Sequence, residues 1–394
     1  DYIEVPCEID YDQFNVYIES ATINYSRLRI AGEAGKNYTV DVTGFTPAGC
    51  TEQGAYNYTL QTDSDGNMFL YGTFAEGATV TVKDNGVTIA EKTFDTVTEA
   101  GKGYVIATEK PYVYDSTTNT YTIYNAKGLS DVAGFVNSGQ TTINITLAKN
   151  IVLNENVLNE DGTLNGDGSS FQSWTPIGTA NNPYKGTFDG AGYTISGLYF
   201  NKSGNYIGLI GRLGENGIIK NIGITDSYIY GYDYVGGIAG YSSKGTIENC
   251  YNSGTINGRR EIGGIVGYCG SSTVENCYNT GNINGNNYVG GVIGDCSNST
   301  VENCYSTGSI NAADKVGGVV GYSSKSTVNK CYNTGDVIGT ADRAHIGGVV
   351  GNNNMSATAS NCYNTGNVSG TGADSCIGGV LGYNWGTGAH CYSI

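Results

Sequence analysis

Residues 234–260 read YVGGIAGYSSKGTIENCYNSGTINGRR, residues 261–287 read EIGGIVGYCGSSTVENCYNTGNINGNN, and residues 288–314 read YVGGVIGDCSNSTVENCYSTGSINAAD. They align without a gap at a period of 27 residues. The shared pattern is V/I-G-G-V/I-x-G, a polar stretch, N-C-Y-N-T-G-x-I and a polar turn. Gly pairs open at Gly236, Gly263, Gly290, Gly317, Gly347 and Gly378, and later copies stretch by a few residues. Residues 206–229, YIGLIGRLGENGIIKNIGITDSYI, read as an earlier, degenerate copy. So short a repeat has too few apolar positions to bury a core alone, whereas stacked copies can. Brief β-prone stretches between Gly and Asn, with no helix-length segment, predict one coil of a parallel β-helix per copy. Successive coils then lie about 4.8 Å apart, the strand spacing of a sheet.

Stacking turns the alignment into columns. Ile207, Val235, Ile262, Val289, Val316, Ile346 and Ile377 are all branched and apolar, and are expected to face inward. Ile256, Ile283, Ile310, Val337 and Val368 behave alike. The column Tyr234, Glu261, Tyr288, Lys315, His345 and Cys376 is chemically mixed and is expected to face solvent. The paired glycines imply close backbone approach or unusual dihedrals at a bend. Cys250, Cys277, Cys304, Cys331, Cys362 and Cys391 form one more column. Ile222 holds this slot in the degenerate copy, which implies a buried stack of reduced thiols acting as small hydrophobes. Vertical disulfides are the rival reading, disfavoured by parallel side-chain vectors. Metal ligation is weaker still, since no C-x-x-C or Cys/His spacing appears.

Composition agrees. Among 394 residues there are 61 Gly and 32 Tyr, and only 14% are charged, a profile of many short strands and tight turns. Net charge is −16, so nucleic acid is an unfavourable partner. No run approaches the roughly 18 apolar residues of a membrane span. The chain opens at Asp1 without a Met, which reads as processing or trimming, and stops at Ile394 within a coil.

The fold class expected is all-β: an N-terminal β-sandwich over residues 1–108, then a parallel β-helix over 109–394 with regular repeats from 206. The polar stretch near 107–118, holding Pro111, reads as the linker. Ala126, Leu129, Val132 and Phe135 fall at helical intervals and predict a short helix around 128–136. Its expected role is to cap the open end of the solenoid. TINITLAKNIVLN follows as a strand pair, then WTPIGT and YKGTFDGAGYTISGLYF. In the first domain NYTVDVTGF, YNYTLQT, NMFLYGTF and ATVTVKDNGVTIAEKTF alternate as strands, and Asp84-Asn85-Gly86 reads as a hairpin turn.

The order of short helix, I-T-L-x-x-N-I-x-L strand, W-T-P-I-G, G-T-F-D-G-x-G-Y-T-I-S-G-L and G-G…N-C-Y-N-T-G repeats resembles the GLUG-motif β-helix proteins of bacterial surfaces, over about residues 120–394. GLUG repeats also accompany secreted immunoglobulin-cleaving metallopeptidases, where a separate zinc domain does the chemistry. The present chain has no H-E-x-x-H, and its histidines are His345 and His390. The run FLYGTFAEGATVTVKDNGVTIAEKTF…EAGKGYVI resembles fimbrillin-like modules, the pilus and surface subunits of Bacteroidetes. These resemblances imply an extracellular, cell-surface protein with a lipid or pilus anchor, and pilus or surface subunits as partners of the first domain.

Tyr251, Tyr278, Tyr305, Tyr332 and Tyr363 form the column best suited to ligand binding, because aromatic faces at coil spacing fit sugar rings or protein partners. A structural stack that stiffens a turn explains the same regularity. Tyr241, Tyr268, Tyr322 and Tyr383 form a second, partial column. Glu248, Glu275 and Glu302 share a column whose spacing resembles that of paired glycosidase carboxylates, but a solvated position copied with its repeat explains it better. Asp161, Asn165 and Asp167 offer hard oxygen ligands for Ca²⁺ without the spacing of an EF-hand, and a solvated Gly-rich insertion is the simpler reading. No other cofactor is implied. His345 and His390 sit in variable columns and read as surface residues rather than acid–base catalysts.

The function expected is non-enzymatic adhesion to host or microbial surface glycans or proteins, with the β-helix as a stiff display rod. A polysaccharide lyase or glycoside hydrolase is one alternative, but the repeats hold few basic residues. A purely structural spacer of a larger surface or pilus assembly is the other. Fold alone does not separate the three.

Overall fold

The structure, a computed structural model, describes residues 25–107 and 111–394. The start of the expected sandwich (residues 1–24, with Cys7) and residues 108–110 of the expected linker lie outside the described residues. The chain divides into two compact units between Pro111 and Tyr112.

In the first unit, alternating inward and outward side chains define β1 (Ser26–Ala31), β2 (Asn37–Pro47), β3 (Gly54–Gln61), β4 (Asn67–Phe74), β5 (Thr79–Asp84), β6 (Val87–Thr93) and β7 (Gly103–Ala107). All seven join one sheet. Residues 39–42 of β2 pair with β3 and β5. Past an irregularity between Val42 and Phe45, the end of β2 pairs with β4. The sheet therefore turns a corner along β2 and curls, barrel-like, around Leu28, Ile30, Val40, Phe45, Phe74 and Val82. Where a two-layer sandwich was expected, the strands form this one curled, barrel-like sheet. Asn85 (φ 48°) and Gly86 (φ 84°) make the turn between β5 and β6, as the left-handed conformation of both residues requires.

The second unit opens with an antiparallel hairpin of β8 (Tyr112–Asp115) and β9 (Thr120–Ile123). The expected linker thus contains a strand. Asp115 Oδ1 accepts from Thr117 N at 2.8 Å and closes the turn that pairs the tyrosines of β8 with β9. α1 (Ala126–Asn137) follows, capped by Asn125, whose side chain accepts from Gly128 N. Its buried face is Leu129, Val132, Ala133 and Val136, which join the solenoid core, while Phe135 sits at the border against Tyr112 and Tyr121.

From there the chain winds as a parallel solenoid. One coil comprises Arg260–Gly263, Val266–Gly270, Thr273–Glu275, Tyr278–Asn279 and Ile283–Asn284. Equivalent strands of successive coils pair in register, building five parallel sheets along the axis. TINITLAKNIVLN supplies strands to two different sheets, so its halves do not pair with each other. The Val235 and Ile256 columns are buried as expected up to Ile346 and Val337, beyond which Val368 is half-buried and Ile377 exposed. The glycine pairs serve close approach: a Cβ on Gly237 would stand 2.6 Å from Gly264 O and 2.8 Å from Asn252 Oδ1.

Corners fall at non-glycine residues in the left-handed region. The residue before each Cys of the column is one: Asn249, Asn276, Asn303 and Asn361 (φ 53–54°), and Lys330 and His390 (both φ 52°). Asn tolerates this conformation better than most residues, which accounts for its recurrence there. The column Tyr234, Glu261, Tyr288 and Lys315 is another, with φ between 52° and 59°. Solvent exposure was expected for it. Instead Glu261 is only 7% exposed and Tyr234, Tyr288 and Lys315 are half-buried. The column lies against the side chains seven residues further on, as in Tyr234–Tyr241, and against those of the following coil, as in Tyr288–Tyr322 (ring centroids 5.7 and 5.4 Å).

Candidate functional site

The first tyrosine column forms a continuous stack. From Tyr251 through Tyr278, Tyr305, Tyr332 and Tyr363 to Tyr392, ring centroids stand 4.7–5.4 Å apart and planes differ by 2–10°. Each ring covers its neighbour's face, so within the column the edges remain for contact rather than the broad faces that sugar stacking would use. Tyr392, the last ring of the stack, is exposed.

A second surface gathers more varied chemistry. Arg212, Tyr241, Tyr268, Asp295, Tyr322, Asn352 and Tyr383 follow one another in register on one sheet. The corner column Tyr206, Tyr234, Glu261, Tyr288, Lys315 and His345 flanks them. Tyr206 and Tyr234 stack at 5.0 Å, Tyr241 and Tyr268 at 4.8 Å, and the two pairs meet edge to face. The Arg212 guanidinium lies 4.6 Å from the centre of Tyr241 and 4.9 Å from that of Tyr206. Arg260 and Lys315 both approach the Tyr288 ring. His345 stacks on Tyr383 at 4.5 Å and shares a 2.8 Å hydrogen bond through Nδ1 with Asn352 Nδ2. It is a half-buried part of this strip. Trp385, 75% exposed, extends the strip at its far end.

Two acids lie within it. Arg260 Nη2 donates to Glu261 Oε1 at 3.2 Å, yet burial still pushes the Glu261 carboxyl above its usual range. Burial, and then the charge of Glu261, push Asp295 up to about 7. Asp295 Oδ1 is buried without a hydrogen-bond partner. Sequence reading named Tyr241, Tyr268, Tyr322 and Tyr383 but missed that Asp295 shares their column and that Glu261 sits beside it. The seven-residue offset between columns, one of them at a corner, was the available signal.

The side chains of the Asp161–Asp167 loop bond within its own turns. Asp161 Oδ1 accepts from the backbone and hydroxyl of Thr163, Asp167 Oδ1 accepts from Ser169 N, and Asn165 Nδ2 donates to Asn156 O. The three side chains are committed to separate turns, and those bonds hold the two carboxyls below their usual range. Among the described residues no group of three or more His, Cys, Asp or Glu gathers as a metal site. The loop instead straps to the solenoid: Thr255 Oγ1 donates to Gly162 O, and Asp226 accepts from Val157 N and Leu158 N. Glu248, Glu275 and Glu302 stand in register, half-exposed, with Glu302 paired to Lys330. His390 is exposed at a corner.

Cys250, Cys277, Cys304, Cys331 and Cys362 are buried free thiols, and Cys391 is half-buried. Each Sγ donates to the carbonyl two residues earlier, as in Cys277 to Glu275 O (3.2 Å). Burial pushes the thiols of Cys277, Cys304 and Cys331 well above their usual range. A second buried pair, Cys269 and Cys296, stands in register on adjacent coils.

The architecture is that of a repeat solenoid carrying an aromatic surface. Residues 231–257 and 258–284 each match the family of the GLUG motif, so the chain carries GLUG-motif repeats on a parallel β-solenoid. It is 47% identical over 57 residues to a "Putative Gly-rich membrane protein" of Evansella cellulosilytica, covering 14% of this chain and 7% of that protein. It is 46% identical over 85 residues to "Halomucin" of Haloquadratum walsbyi, covering 21% of this chain and 1% of that protein. The matched segments are thus small parts of much longer relatives. A solved structure from Bacteroides ovatus, described as a "putative immunoglobulin A1 protease", shares the fold at a TM-score of 0.50 and 18% identity, over 70% of this chain and 84% of that one. Among the described residues no helix is long and apolar enough to cross a membrane.

Proposed function

We propose that this is a non-enzymatic adhesion protein of the bacterial cell surface, which binds glycan or protein ligands along the strip from Tyr206 to Trp385. The observation that carries this reading is the strip itself: tyrosines, a tryptophan and arginine-capped rings repeated from coil to coil on a stiff scaffold. Such residues dominate the energetics of recognition surfaces. The membrane-protein and halomucin relatives support display at the surface. In this reading the first unit is the attachment module, in keeping with its fimbrillin-like sequence, and a lipid or pilus anchor completes the arrangement.

The test is a glycan and host-matrix array probed with the intact protein beside Tyr241→Ala/Tyr268→Ala and Tyr278→Ala/Tyr305→Ala variants. Binding lost in the first variant and kept in the second supports the strip. A folded protein that binds nothing on the array rejects adhesion and favours a spacer.

One observation favours a second reading, a glycoside hydrolase. Asp295, with a pKa near neutrality beside Glu261, resembles the unequal carboxyls of an acid–base pair. Release of reducing ends from a polysaccharide panel, abolished in Asp295→Asn, would establish it.

A further inference from the structure

Away from the aromatic strip, a cleft of about 280 Å³ opens beside the corner that follows the Ile256 column. Its wall is an amide ladder. Asn257, Asn284 and Asn311 stand in register on three successive coils, and Asn284 Nδ2 donates to Asn257 Oδ1 at 3.0 Å. Tyr230, 38% exposed and in register with Asn257, bounds one end, and Thr340 lies at the other. Asn257 Nδ2 is buried and has no hydrogen-bond partner. The opposite rim is held firmly by backbone bonds between coils: Arg259 N to Tyr232 O, Asn287 N to Arg259 O, and Asp314 N to Asn286 O, all 2.8–3.0 Å. Arg259 is spent at the edge, bonded twice to Asp233 and lying 3.9 Å over the Tyr232 ring.

We infer that this cleft is a binding site for a linear, neutral oligosaccharide lying along the solenoid axis. The lining contains no charged side chain, so it offers nothing to sulfate, uronate or phosphate groups. Amides present donors and acceptors together, which suits vicinal hydroxyls. They recur once per coil, at about 4.8 Å, close to the repeat of an extended pyranose chain. Three coils therefore accommodate two or three sugar rings. Tyr230 supplies an aromatic surface for the apolar face of a terminal ring, and glycine and alanine leave room along the rim. An extended peptide fits less well. Along the cleft the strand backbones are already paired with those of neighbouring coils, so it offers no free strand edge for a peptide to join.

The inference goes beyond the adhesion reading, because it names a different site and a ligand class. It is tested by calorimetric titration of the full chain with cello-, manno- and chito-tetraose and with a uronic-acid tetramer as the charged control. The variants are Tyr230→Ala, Asn284→Ala and the exposed-position Asn311→Ala, each checked for an unchanged melting temperature. The expected result is binding of at least one neutral tetramer, weakened about tenfold or more by Tyr230→Ala and Asn311→Ala, and unaffected by Tyr241→Ala/Tyr268→Ala. No binding of any neutral tetramer at millimolar concentration overturns the site. So does binding insensitive to all three cleft variants, or a preference for the charged control. Loss of array binding in the strip variant with cleft binding intact separates this inference from the adhesion reading.

Discussion

Asn252 donates from Nδ2 to Oδ1 of Asn279, one coil later, at 2.8 Å, and both side chains are fully buried. Asn333 and Asn364 repeat the bond, and Ser306 fills the slot between Asn279 and Asn333. Each Asn also clasps the glycine two residues on: Asn279 Nδ2 donates to Gly281 O, and Gly281 N donates to Asn279 Oδ1. This interior ladder explains the second Asn of N-C-Y-N-T-G. It satisfies the backbone of a tight corner inside the core, where water is absent and an unpaired group is costly.

Asn279→Ala should therefore destabilise the protein by roughly 2–4 kcal/mol, since it strands Gly281 N and one of the two Asn252 Nδ2 N–H groups in the core, the other still bonded to Gly254 O. Asn279→Ser should cost less, because Ser306 shows that a hydroxyl fits the ladder. Urea unfolding followed by circular dichroism measures both, and equal losses would reject the ladder as the cause.

The repeat made the solenoid legible because stacking maps each column to one environment. The Val235 and Ile256 columns needed only their uniform chemistry. What stayed hidden was hidden for local reasons. The corner column of Glu261 looked solvated because its chemistry varies, yet its left-handed backbone lays it against the next strand. The Tyr251 column was visible, but whether the rings would stack on each other or face outward was not. β1 and β7 are short, and their parallel pairing with each other joins residues 27–31 to 103–107, a contact that no local pattern signals. The amide cleft arises from Asn257, Asn284 and Asn311, which look like ordinary turn residues until their register is known.

Glycine substitutions should separate two roles. A Cβ on Gly237 meets backbone of the next coil, so Gly237→Ala should prevent that coil from closing and lower the melting temperature sharply. Gly134 lies in α1, and a methyl group added there would meet nothing within 4 Å, so Gly134→Ala should stabilise by up to about 1 kcal/mol. Calorimetric melting of the two variants checks both directions.

Thiol reactivity should follow burial. Cys50 and Cys376 are exposed, and alkylation of the native protein should label them quickly. Cys277, Cys304 and Cys331 are buried with raised pKa values and should remain unlabelled until urea unfolds the solenoid. Peptide mapping after iodoacetamide treatment distinguishes these groups. Rapid native labelling of Cys304 would mean that the coils open readily.

Asp295 should make stability depend on pH in the opposite sense to a salt-bridged carboxylate. Its folded pKa is raised from 3.8 to about 7, chiefly by burial. The folded chain therefore holds this proton across a range in which the unfolded chain has released it, and stability falls as pH rises from about 4 to 7. Below that range the residue contributes no penalty, and above it the penalty is complete, at most on the order of 4 kcal/mol. Asp295→Asn removes the titration while keeping the shape. The variant should match the parent near pH 4, exceed it in stability at pH 8, and show a flatter profile between. Urea midpoints at pH 4, 6 and 8 measure this. A stability difference that is constant across the three would mean that Asp295 is not the group that titrates. Glu261, Asp189 and the other shifted carboxyls are unchanged in both proteins, so their contributions cancel to first order in the difference between variant and parent.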